Sequence, residues 1–208
     1  MTRVLLIRHG ANDAHKKGVL TGWTPGIHLN PEGRAQAKAL AQRLASTPIE
    51  AVYASPLERT LETAEIIAAP HKLPVITRER LGEVRLGRWT GQPVEKASKR
   101  RLWRAIQFTP STVRFPGGES FCEIQARVVA ELDELKTKHS QQTIAVVSHA
   151  DVIKAALAHY IGLHLDLFQR LVIAPASLTV LGLGDTMPRL FCMNDISHNP
   201  EISGREKR

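Results

Sequence analysis

Two histidines that follow short apolar runs are the first sign of chemistry in this sequence. The run 4–7 leads into Arg8 and His9, and the run 144–147 leads through a serine into His149. A neutral imidazole, with a reference pKa of about 6.5, is available as a nucleophile near neutral pH. Since both runs predict buried strands, we expect both imidazoles at the carboxyl edge of one sheet, where open α/β folds bind ligands.

Arginines accompany the histidines and predict that the ligand is an anion. Arg8 directly precedes His9, and Arg59 falls in the first turn of a helix predicted over 55–69. The segment 55–58 has the spacing of a capping box, and a helix N-terminus favours phosphate through its free N–H groups and its dipole. Guanidinium groups bind phosphoryl oxygens in a bidentate manner. These residues predict a phosphoryl site in which a histidine attacks phosphorus between two arginines.

The elements that would position these residues follow from apolar periodicity and from turn residues. The predicted strands are 3–8, 50–54, 74–77 and 143–148, with two or three more within 171–193. One predicted helix begins at Asn30-Pro31, and three others cover 55–69, 93–107 and 151–160. A further, long helix is predicted after the loop 110–119. Alternating strands and helices imply right-handed crossover units. The fold class is therefore α/β, a three-layer α/β/α sandwich with a mainly parallel central sheet.

Length and composition are those of an ordinary globular protein. The chain has 208 residues, of which 43% are hydrophobic and 23% charged, and we expect one domain over 1–195. Segments of about 11–30 and 85–120 would be insertions or lids beside the site, and 196–208 a flexible tail. The N-terminal apolar run is too short for a signal peptide or a membrane span, so we expect a cytoplasmic protein without a membrane partner. The two cysteines, Cys122 and Cys192, are interpreted as reduced thiols.

The net charge of +8 and the isoelectric point of about 9.9 predict attraction to anions. No recognised nucleic-acid motif accompanies this charge, so we expect a small phosphorylated substrate and no nucleic acid. The basic run 96–104 is expected to face solvent, with recruitment of the acidic part of a substrate as the alternative. Arg85, Arg88 and Arg114 are candidates for contact with a second anionic group on that substrate.

Five motifs extend the phosphoryl-site hypothesis over most of the chain. They are LIRHG at 6–10, ASPLERTLETA at 54–64, LGEVRLGRWTG at 81–91, GGES at 117–120 and VSHA at 147–150. In this order and spacing they closely resemble the motifs of the histidine phosphatase superfamily, and the phosphoglycerate mutase-like branch is the nearest match. The resemblance covers roughly residues 3–195 and implies the phosphoglycerate mutase-like fold.

The resemblance also implies a role for each residue of the site. His9 would be the nucleophile that becomes phosphorylated, and His149 would donate a hydrogen bond to the transferring phosphoryl group. Arg8 and Arg59 would hold its oxygens through the transition state, the electrostatic task that dominates phosphoryl transfer. Glu83 would protonate the leaving oxygen and then, as a carboxylate, activate the water that hydrolyses phosphohistidine. The scheme needs no metal and no cofactor.

The loop after the first histidine departs from the family pattern. Many relatives have Trp-Asn where this chain has Ala14-His15. The phosphate contact of that asparagine would come here from Asn12 or from His15. Gly22 opens a segment that fits the family as a substrate-side loop, and we count it among the phosphate-binding residues.

A phosphomonoesterase that hydrolyses a small phosphorylated metabolite through a phosphohistidine is the function we expect. A phosphoglycerate mutase-type transferase is the nearest alternative, and we favour hydrolysis because the segment 91–117 is short where dedicated mutases carry an insertion. A non-catalytic module that binds an anion or a partner is the second alternative. His149 and Asp151 suggest metal ligation but lack a third ligand at usable spacing, so no metal site is predicted. The sequence leaves the oligomeric state open, with a homodimer as one option.

Overall fold

The computed structural model describes residues 1–199, apart from the side chains of residues 15 and 16, and consists of alternating strands and helices. The strands are β1 (Thr2–Arg8), β2 (Ile49–Ala54), β3 (Val75–Thr77), β4 (Thr143–Ser148), β5 (Leu178–Leu183) and β6 (Arg189–Asp195). The α-helices are α1 (Asp13–Lys16), α2 (Pro31–Leu44), α3 (Glu58–Ala68), α4 (Val94–Ser98), α5 (Arg101–Phe108), α6 (Phe121–Lys138) and α7 (Ala150–Tyr160). The predicted basic helix over 93–107 therefore divides into α4 and α5.

Within the described residues the strands form one six-stranded sheet in the order β3-β2-β4-β1-β5-β6. The first four strands are parallel, whereas β5 and β6 are antiparallel to their neighbours. The prediction of an α/β fold with a mainly parallel sheet is therefore confirmed. The two or three strands expected within 171–193 correspond to β5 and β6. Residues 171–177 pass the carboxyl end of β1 as irregular backbone, and the N–H of Ala176 donates to the carbonyl oxygen of Arg8 at 3.1 Å.

Alternate residues of β1 face two separate apolar cores. Leu5 and Ile7 pack with α2 and α3 on one side of the sheet, and Val4 and Leu6 pack with α6 and α7 on the other. All four side chains are at most 3% exposed, as expected for a parallel strand covered on both faces. Burial of each contributes about 1.5–3 kcal/mol. The two cores hold the central strands in place, and with them the residues at the strand ends.

The pairing of β1 with β4 brings the two histidine segments side by side. Arg8 lies opposite Ser148 in the parallel register, and the N–H of His9 donates to the carbonyl oxygen of Ser148 at 3.0 Å. On its other side β4 pairs with β2. The carboxyl ends of β2, β4 and β1 therefore meet at one edge, and Ser55, which follows β2, comes within hydrogen-bond distance of His149.

The loop after β1 is held against the start of α2. Asn30 caps α2, and its Oδ1 accepts the N–H of Gly33 at 2.8 Å. A Cβ at Gly33 would lie 2.1 Å from the carbonyl oxygen of Ala11, so glycine is required for this close approach. The loop that carries Asn12 is thereby fixed beside the end of β1.

The capping box predicted at 55–58 is wrong. The residue that precedes α3 in an extended conformation is Leu57, and its side chain makes no capping hydrogen bond. Ser55 lies too early in the chain to cap this helix, and its hydroxyl lies 2.8 Å from the Nε2 of His149 instead. Arg59 still lies in the first turn of α3, as the sequence predicts.

The residues around the end of β6 are anchored to the sheet and to α2. Asp195 forms an ion pair with Arg43 of α2 at 2.5 Å, and the Nε2 of His198 lies 3.1 Å from the carbonyl oxygen of Ala176. The predicted flexible tail 196–208 is thus in contact with the domain up to residue 198, and residues 200–208 lie outside the described part. None of the described helices is long and apolar enough to cross a membrane.

Candidate active site

His9 and His149 lie beside each other at the carboxyl ends of β1 and β4. Their ring centroids are 5.3 Å apart with an interplanar angle of 61°, and both side chains are buried. The Nδ1 of His9 lies 2.8 Å from the carbonyl oxygen of Gly10. Because a carbonyl oxygen can only accept, Nδ1 must donate, and the lone pair of the neutral ring is then on Nε2. Nε2 is therefore the nitrogen of His9 that can act as a nucleophile.

The ring of His149 is oriented by the hydroxyl of Ser55, whose Oγ lies 2.8 Å from Nε2. Burial lowers the pKa of His149 well below its usual value, and the positive charge of Arg59 lowers it further. The ring is therefore neutral at pH 7. When the hydroxyl donates to Nε2, the ring proton lies on Nδ1, which is 3.4 Å from the Oε2 of Glu83. In this tautomer the Nδ1–H group is a hydrogen-bond donor within the site.

Two arginines are buried beside the histidines, and their hydrogen bonds are incomplete. Arg59 is 1% exposed and donates from Nη2 to the carbonyl oxygen of Gly22 at 3.0 Å. Arg8 donates from Nη1 to the carbonyl oxygen of Ile173 at 2.6 Å. The Nη1 of Arg59 and the Nε of Arg8 are buried without a hydrogen-bond partner among the described residues. Burial lowers the pKa of both groups, yet they stay charged because arginine is not deprotonated in proteins. Buried cations with unused N–H groups indicate a site for an anion.

The carboxyl group of Glu83 lies between His149 and Arg59. Its Oε2 is 3.4 Å from the Nδ1 of His149 and 3.9 Å from the Nη2 of Arg59, and its Oε1 accepts the N–H of Val84 at 2.9 Å. Burial raises the pKa of Glu83, and the charge of Arg59 opposes that shift without cancelling it. The side chain remains 20% exposed, so a substrate oxygen or a water can reach it. A carboxyl group with a raised pKa keeps its proton to higher pH than an ordinary glutamate, which suits a group that gives and takes a proton.

Arg127 of α6 holds the loop that carries Glu83, and sequence reasoning missed it. Its guanidinium donates to the carbonyl oxygens of Arg80 at 2.7 Å and Glu83 at 3.1 Å. It also forms a two-point pair with the carboxylate of Glu119, at 2.9 and 3.0 Å. Glu119 in turn accepts the N–H of Arg85 at 2.7 Å. The sequence drew attention to Glu119 through the motif at 117–120, but it did not indicate that Glu119 pairs with an arginine of the following helix.

Trp23 supports the same loop from the other side, and it also engages one of the arginines predicted to bind a second anion. Its Nε1 donates to the carbonyl oxygen of Glu83 at 2.5 Å, and the guanidinium of Arg85 lies 4.1 Å from the centre of its ring. Arg114 forms an ion pair with a glutamate of α6. Neither these two arginines nor Arg88 lines the cavity that the described residues form around the site.

The basic run 96–104 faces solvent, as predicted for a solvated surface. Its lysine and arginine side chains are exposed, and none of them lines the cavity that the described residues form. Lys99 pairs with Glu95 one helical turn away at 2.8 Å, and Arg100 lies 5.4 Å from the ring centre of Trp89. The run therefore belongs to the outer surface of α4 and α5.

A cavity of about 460 Å³ opens in front of His9. Asn12 is 5% exposed at its wall, and Gly22, with a φ of 48°, directs its carbonyl oxygen to Arg59. The side chain of His15 lies outside the described residues. Among the residues that the structure does describe, no group of three or more His, Cys, Asp or Glu side chains could hold a metal ion. The cavity is lined by Arg8, His9, Asn12, Gly22, Arg59 and Glu83 from the predicted set, and by Asp151, Lys154 and Gln169 among others.

Comparison with known sequences finds relatives over nearly the whole length of the chain. The sequence model of the histidine phosphatase superfamily (branch 1) matches residues 4–196. Phosphoserine phosphatase 1 of Hydrogenobacter thermophilus is 32% identical over 204 residues, which cover 97% of this chain and 96% of that protein. The 2,3-bisphosphoglycerate-dependent phosphoglycerate mutase of Thermoplasma acidophilum is 31% identical over 203 residues, which cover 97% of this chain and 96% of that protein. A relative named as a phosphatase and one named as a mutase thus match over nearly equal lengths.

Solved structures have the same fold. A mutant of phosphoserine phosphatase from Entamoeba histolytica, in complex with phosphoserine, has a TM-score of 0.87 and 25% identity, over 96% of this chain and 100% of that one. The same enzyme in complex with 3-phosphoglyceric acid has a TM-score of 0.87 and 26% identity, over 95% of this chain and 99% of that one. Both of these ligands are small phosphate monoesters that carry a carboxylate.

Proposed function

The chain belongs to the histidine phosphatase superfamily (branch 1), and on this premise we propose that it hydrolyses small phosphate monoesters with His9 as the phosphorylated nucleophile. One observation carries the proposal. The Nε of Arg8, the Nη1 of Arg59 and the Nδ1 of His149 are buried beside His9 without hydrogen-bond partners among the described residues. Each unsatisfied buried donor costs about 1–3 kcal/mol, and more when it is charged. A phosphoryl group presents three oxygens that can accept from all three donors.

In the first step the Nε2 of His9 attacks phosphorus, and the bond between phosphorus and the ester oxygen breaks. Glu83 acts in its protonated form and gives its proton to the leaving oxygen, so that the alcohol departs neutral. Arg8, Arg59 and the Nδ1–H of His149 bind the three phosphoryl oxygens as charge spreads over them in the transition state. The raised pKa of Glu83 supports this role because it favours the acid form.

In the second step the carboxylate of Glu83 takes a proton from water, and the water oxygen attacks phosphorus. The bond between phosphorus and Nε2 breaks, and its electron pair returns to the ring of His9. Inorganic phosphate leaves, and both residues are restored to their starting protonation states. The hydrogen bond from Nδ1 to the carbonyl oxygen of Gly10 keeps the ring in one orientation through both steps.

The test of this proposal is the turnover of p-nitrophenyl phosphate in the presence of EDTA, followed by quenching in alkaline detergent, which preserves a phosphohistidine; loss of the bound phosphate on later acid treatment identifies it. The chelator is included because the arginines supply the positive charge in every step. We expect turnover and a labelled phosphohistidine in the parent protein. His9→Ala should lose both, whereas His159→Ala, at an exposed histidine of α7, should keep both. Turnover that persists in His9→Ala, or that disappears with EDTA, would contradict the mechanism.

A mutase is the second candidate, because the Thermoplasma acidophilum relative named as a mutase matches 97% of this chain. The short segment 91–117 therefore does not by itself separate hydrolysis from mutase activity. A mutase must keep the phosphoryl group away from water, whereas Glu83 here remains 20% exposed. With 3-phosphoglycerate as substrate, we expect phosphate release to be faster than isomerisation to 2-phosphoglycerate. Isomerisation that is faster than phosphate release would identify a mutase.

A further inference from the structure

Two charged side chains of α7 face the cavity and have no part in the mechanism above. Asp151 and Lys154 are three residues apart, so they share one face of the helix. Their side chains are 36% and 13% exposed, and both line the same cavity as Arg8 and His9. Together they form a charged patch in the lining of this cavity.

The contacts within this patch are loose. The Nζ of Lys154 lies 3.4 Å from the Oδ1 of Asp151 and 3.1 Å from the Oε1 of Gln169. Charge-assisted hydrogen bonds between nitrogen and oxygen are normally about 2.7–2.9 Å long. The two charges therefore neutralise each other without a tight bond, and each can turn toward a ligand of opposite charge at little cost.

The carboxylate of Asp151 would repel a phosphate bound nearby, so its presence in this cavity needs an explanation. The charge of Asp151 contributes to the raised pKa of Glu83 and opposes the lowered pKa of Arg8, so the carboxylate acts electrostatically on the reacting end of the cavity. A carboxylate in that position disfavours substrates that bring only further negative charge. It favours a substrate that brings a cation of its own.

Much of the remaining lining of this cavity is apolar. Leu20, Leu86, Leu171 and Val172 belong to it, and their side chains offer no hydrogen bonds to a sugar or another polyhydroxy group. Outside the residues assigned to the phosphoryl group, the polar side chains of the lining are those of Asp151, Lys154, Gln169 and Thr21.

We propose that Asp151 and Lys154 form a subsite for a zwitterionic leaving alcohol, in which Asp151 binds an ammonium group and Lys154 binds a carboxylate. The substrate class is then a phosphorylated hydroxy amino acid of the O-phosphoserine type. This inference rests on the proposed phosphatase function and narrows it. On binding, one loose ion pair is exchanged for two pairs with the substrate, so no net charge is added to this part of the cavity. A substrate with a carboxylate alone leaves Asp151 in competition for Lys154.

The test compares phosphate release from four esters. O-phospho-L-serine carries both groups, 3-phosphoglycerate carries the carboxylate, O-phosphoethanolamine carries the ammonium, and p-nitrophenyl phosphate carries neither. We expect the parent protein to have its highest kcat/KM among the three alkyl esters for O-phosphoserine. Asp151→Asn should lower kcat/KM for O-phosphoserine and phosphoethanolamine about 10- to 100-fold relative to 3-phosphoglycerate. Lys154→Met should lower it for O-phosphoserine and 3-phosphoglycerate by a similar factor relative to phosphoethanolamine.

Matched controls are Asp185→Asn and Lys38→Met, which remove the same charges at exposed positions away from the cavity. Both variants should rank the four substrates by kcat/KM in the same order as the parent protein. Equal losses for all esters in Asp151→Asn and Lys154→Met, or a parent protein that does not distinguish O-phosphoserine from 3-phosphoglycerate, would overturn the subsite. Turnover of p-nitrophenyl phosphate that depends on His9 would in those cases leave the phosphatase function intact. Absence of all turnover would instead refute the proposed function.

Discussion

At the scale of single residues, the site combines two permanent cations with groups whose charge depends on their surroundings. Arg8 and Arg59 are buried and stay charged, and their field helps to keep His149 neutral. Burial has the opposite consequence for Glu83, because it favours the neutral acid and raises the pKa. Two negative charges that lie side by side repel each other. A bound phosphate would therefore favour the acid form of Glu83 further.

Replacement of Glu83 by Gln keeps the size of the side chain and removes the titratable proton of the carboxyl group. We expect Glu83→Gln to lower kcat/KM for an alkyl phosphate about 10²–10⁴-fold, the usual contribution of general acid catalysis. The loss should be smaller for p-nitrophenyl phosphate, because its leaving group departs without a proton. Rapid quenching in alkaline detergent should then reveal accumulated phosphohistidine, because the second step also lacks its base.

The pH dependence provides an independent measurement on the same residue. The first step needs the acid form of Glu83, so kcat/KM of the parent protein should fall as pH rises through the raised pKa of this group. Glu83→Gln should lack this descending limb, whereas Glu79→Gln, at an exposed glutamate nearby, should keep it. If kcat/KM of Glu83→Gln still falls with rising pH, another residue gives the proton to the leaving oxygen.

At the scale of elements, α6 fixes the segment that follows β3. Arg78 and Arg80 of this segment both approach the carboxylate of Glu131, which is 1% exposed, at 3.3 and 2.7 Å. Arg127, one turn earlier on α6, binds the carbonyl oxygens of Arg80 and Glu83. The position of Glu83 therefore depends on the packing of a helix whose residues are far from it in sequence.

Arg127→Met tests this positioning role. The substitution leaves the carboxylate of Glu119, whose side chain is 11% exposed, without its two-point partner. We expect a loss of about 1–3 kcal/mol in the free energy of unfolding, measured with urea. We also expect kcat to fall more than KM changes, and the descending limb of the pH profile to shift, because Glu83 would be misplaced while the phosphate donors remain.

Two further variants separate positioning from stability. Arg127→Lys keeps the charge and should recover part of the stability, but not the two-point geometry, so kcat should stay low. Arg104→Met, at an exposed arginine of α5, should resemble the parent protein in both measurements. A variant of Arg127 with lowered stability and an unchanged pH profile would show that the residue acts on folding alone.

At the scale of the whole molecule, we expect the buried arginines to link anion binding to stability. Folding places Arg8 and Arg59 in a site that an unfolded chain does not have, so a ligand of that site binds the folded state alone. A ligand at 100 times its dissociation constant then adds about 2.7 kcal/mol to the free energy of unfolding. For a domain of this size each kcal/mol raises Tm by about 2–4 °C.

Inorganic phosphate should therefore raise Tm by several degrees relative to chloride at the same ionic strength, in a thermal unfolding measurement. Arg59→Met should lose most of this shift, because the donor to the phosphate is removed. Arg104→Met should retain it, since that arginine belongs to the exposed basic surface. An equal shift in Arg59→Met would place the stabilising anion elsewhere on this positively charged protein.

Much of the fold could be predicted because its signals are local. The apolar runs 4–7 and 144–147 predicted β1 and β4 without knowledge of their neighbours, and the cap at Asn30 predicted the start of α2. The residues proposed for catalysis could be named because they lie inside short motifs, directly after a strand or at the start of a helix. Backbone propensity and capping act between residues close in sequence, so one sequence suffices to read them.

The tertiary structure alone decided which side chains meet. Ser55, which the sequence presented as a helix cap, orients His149 because β4 is inserted between β2 and β1. The order of strands in a sheet depends on packing between distant segments, and no local pattern encodes it. For the same reason the sequence could predict an anion site near His9, but only the folded chain placed Arg127 behind Glu83 and Lys154 in the cavity.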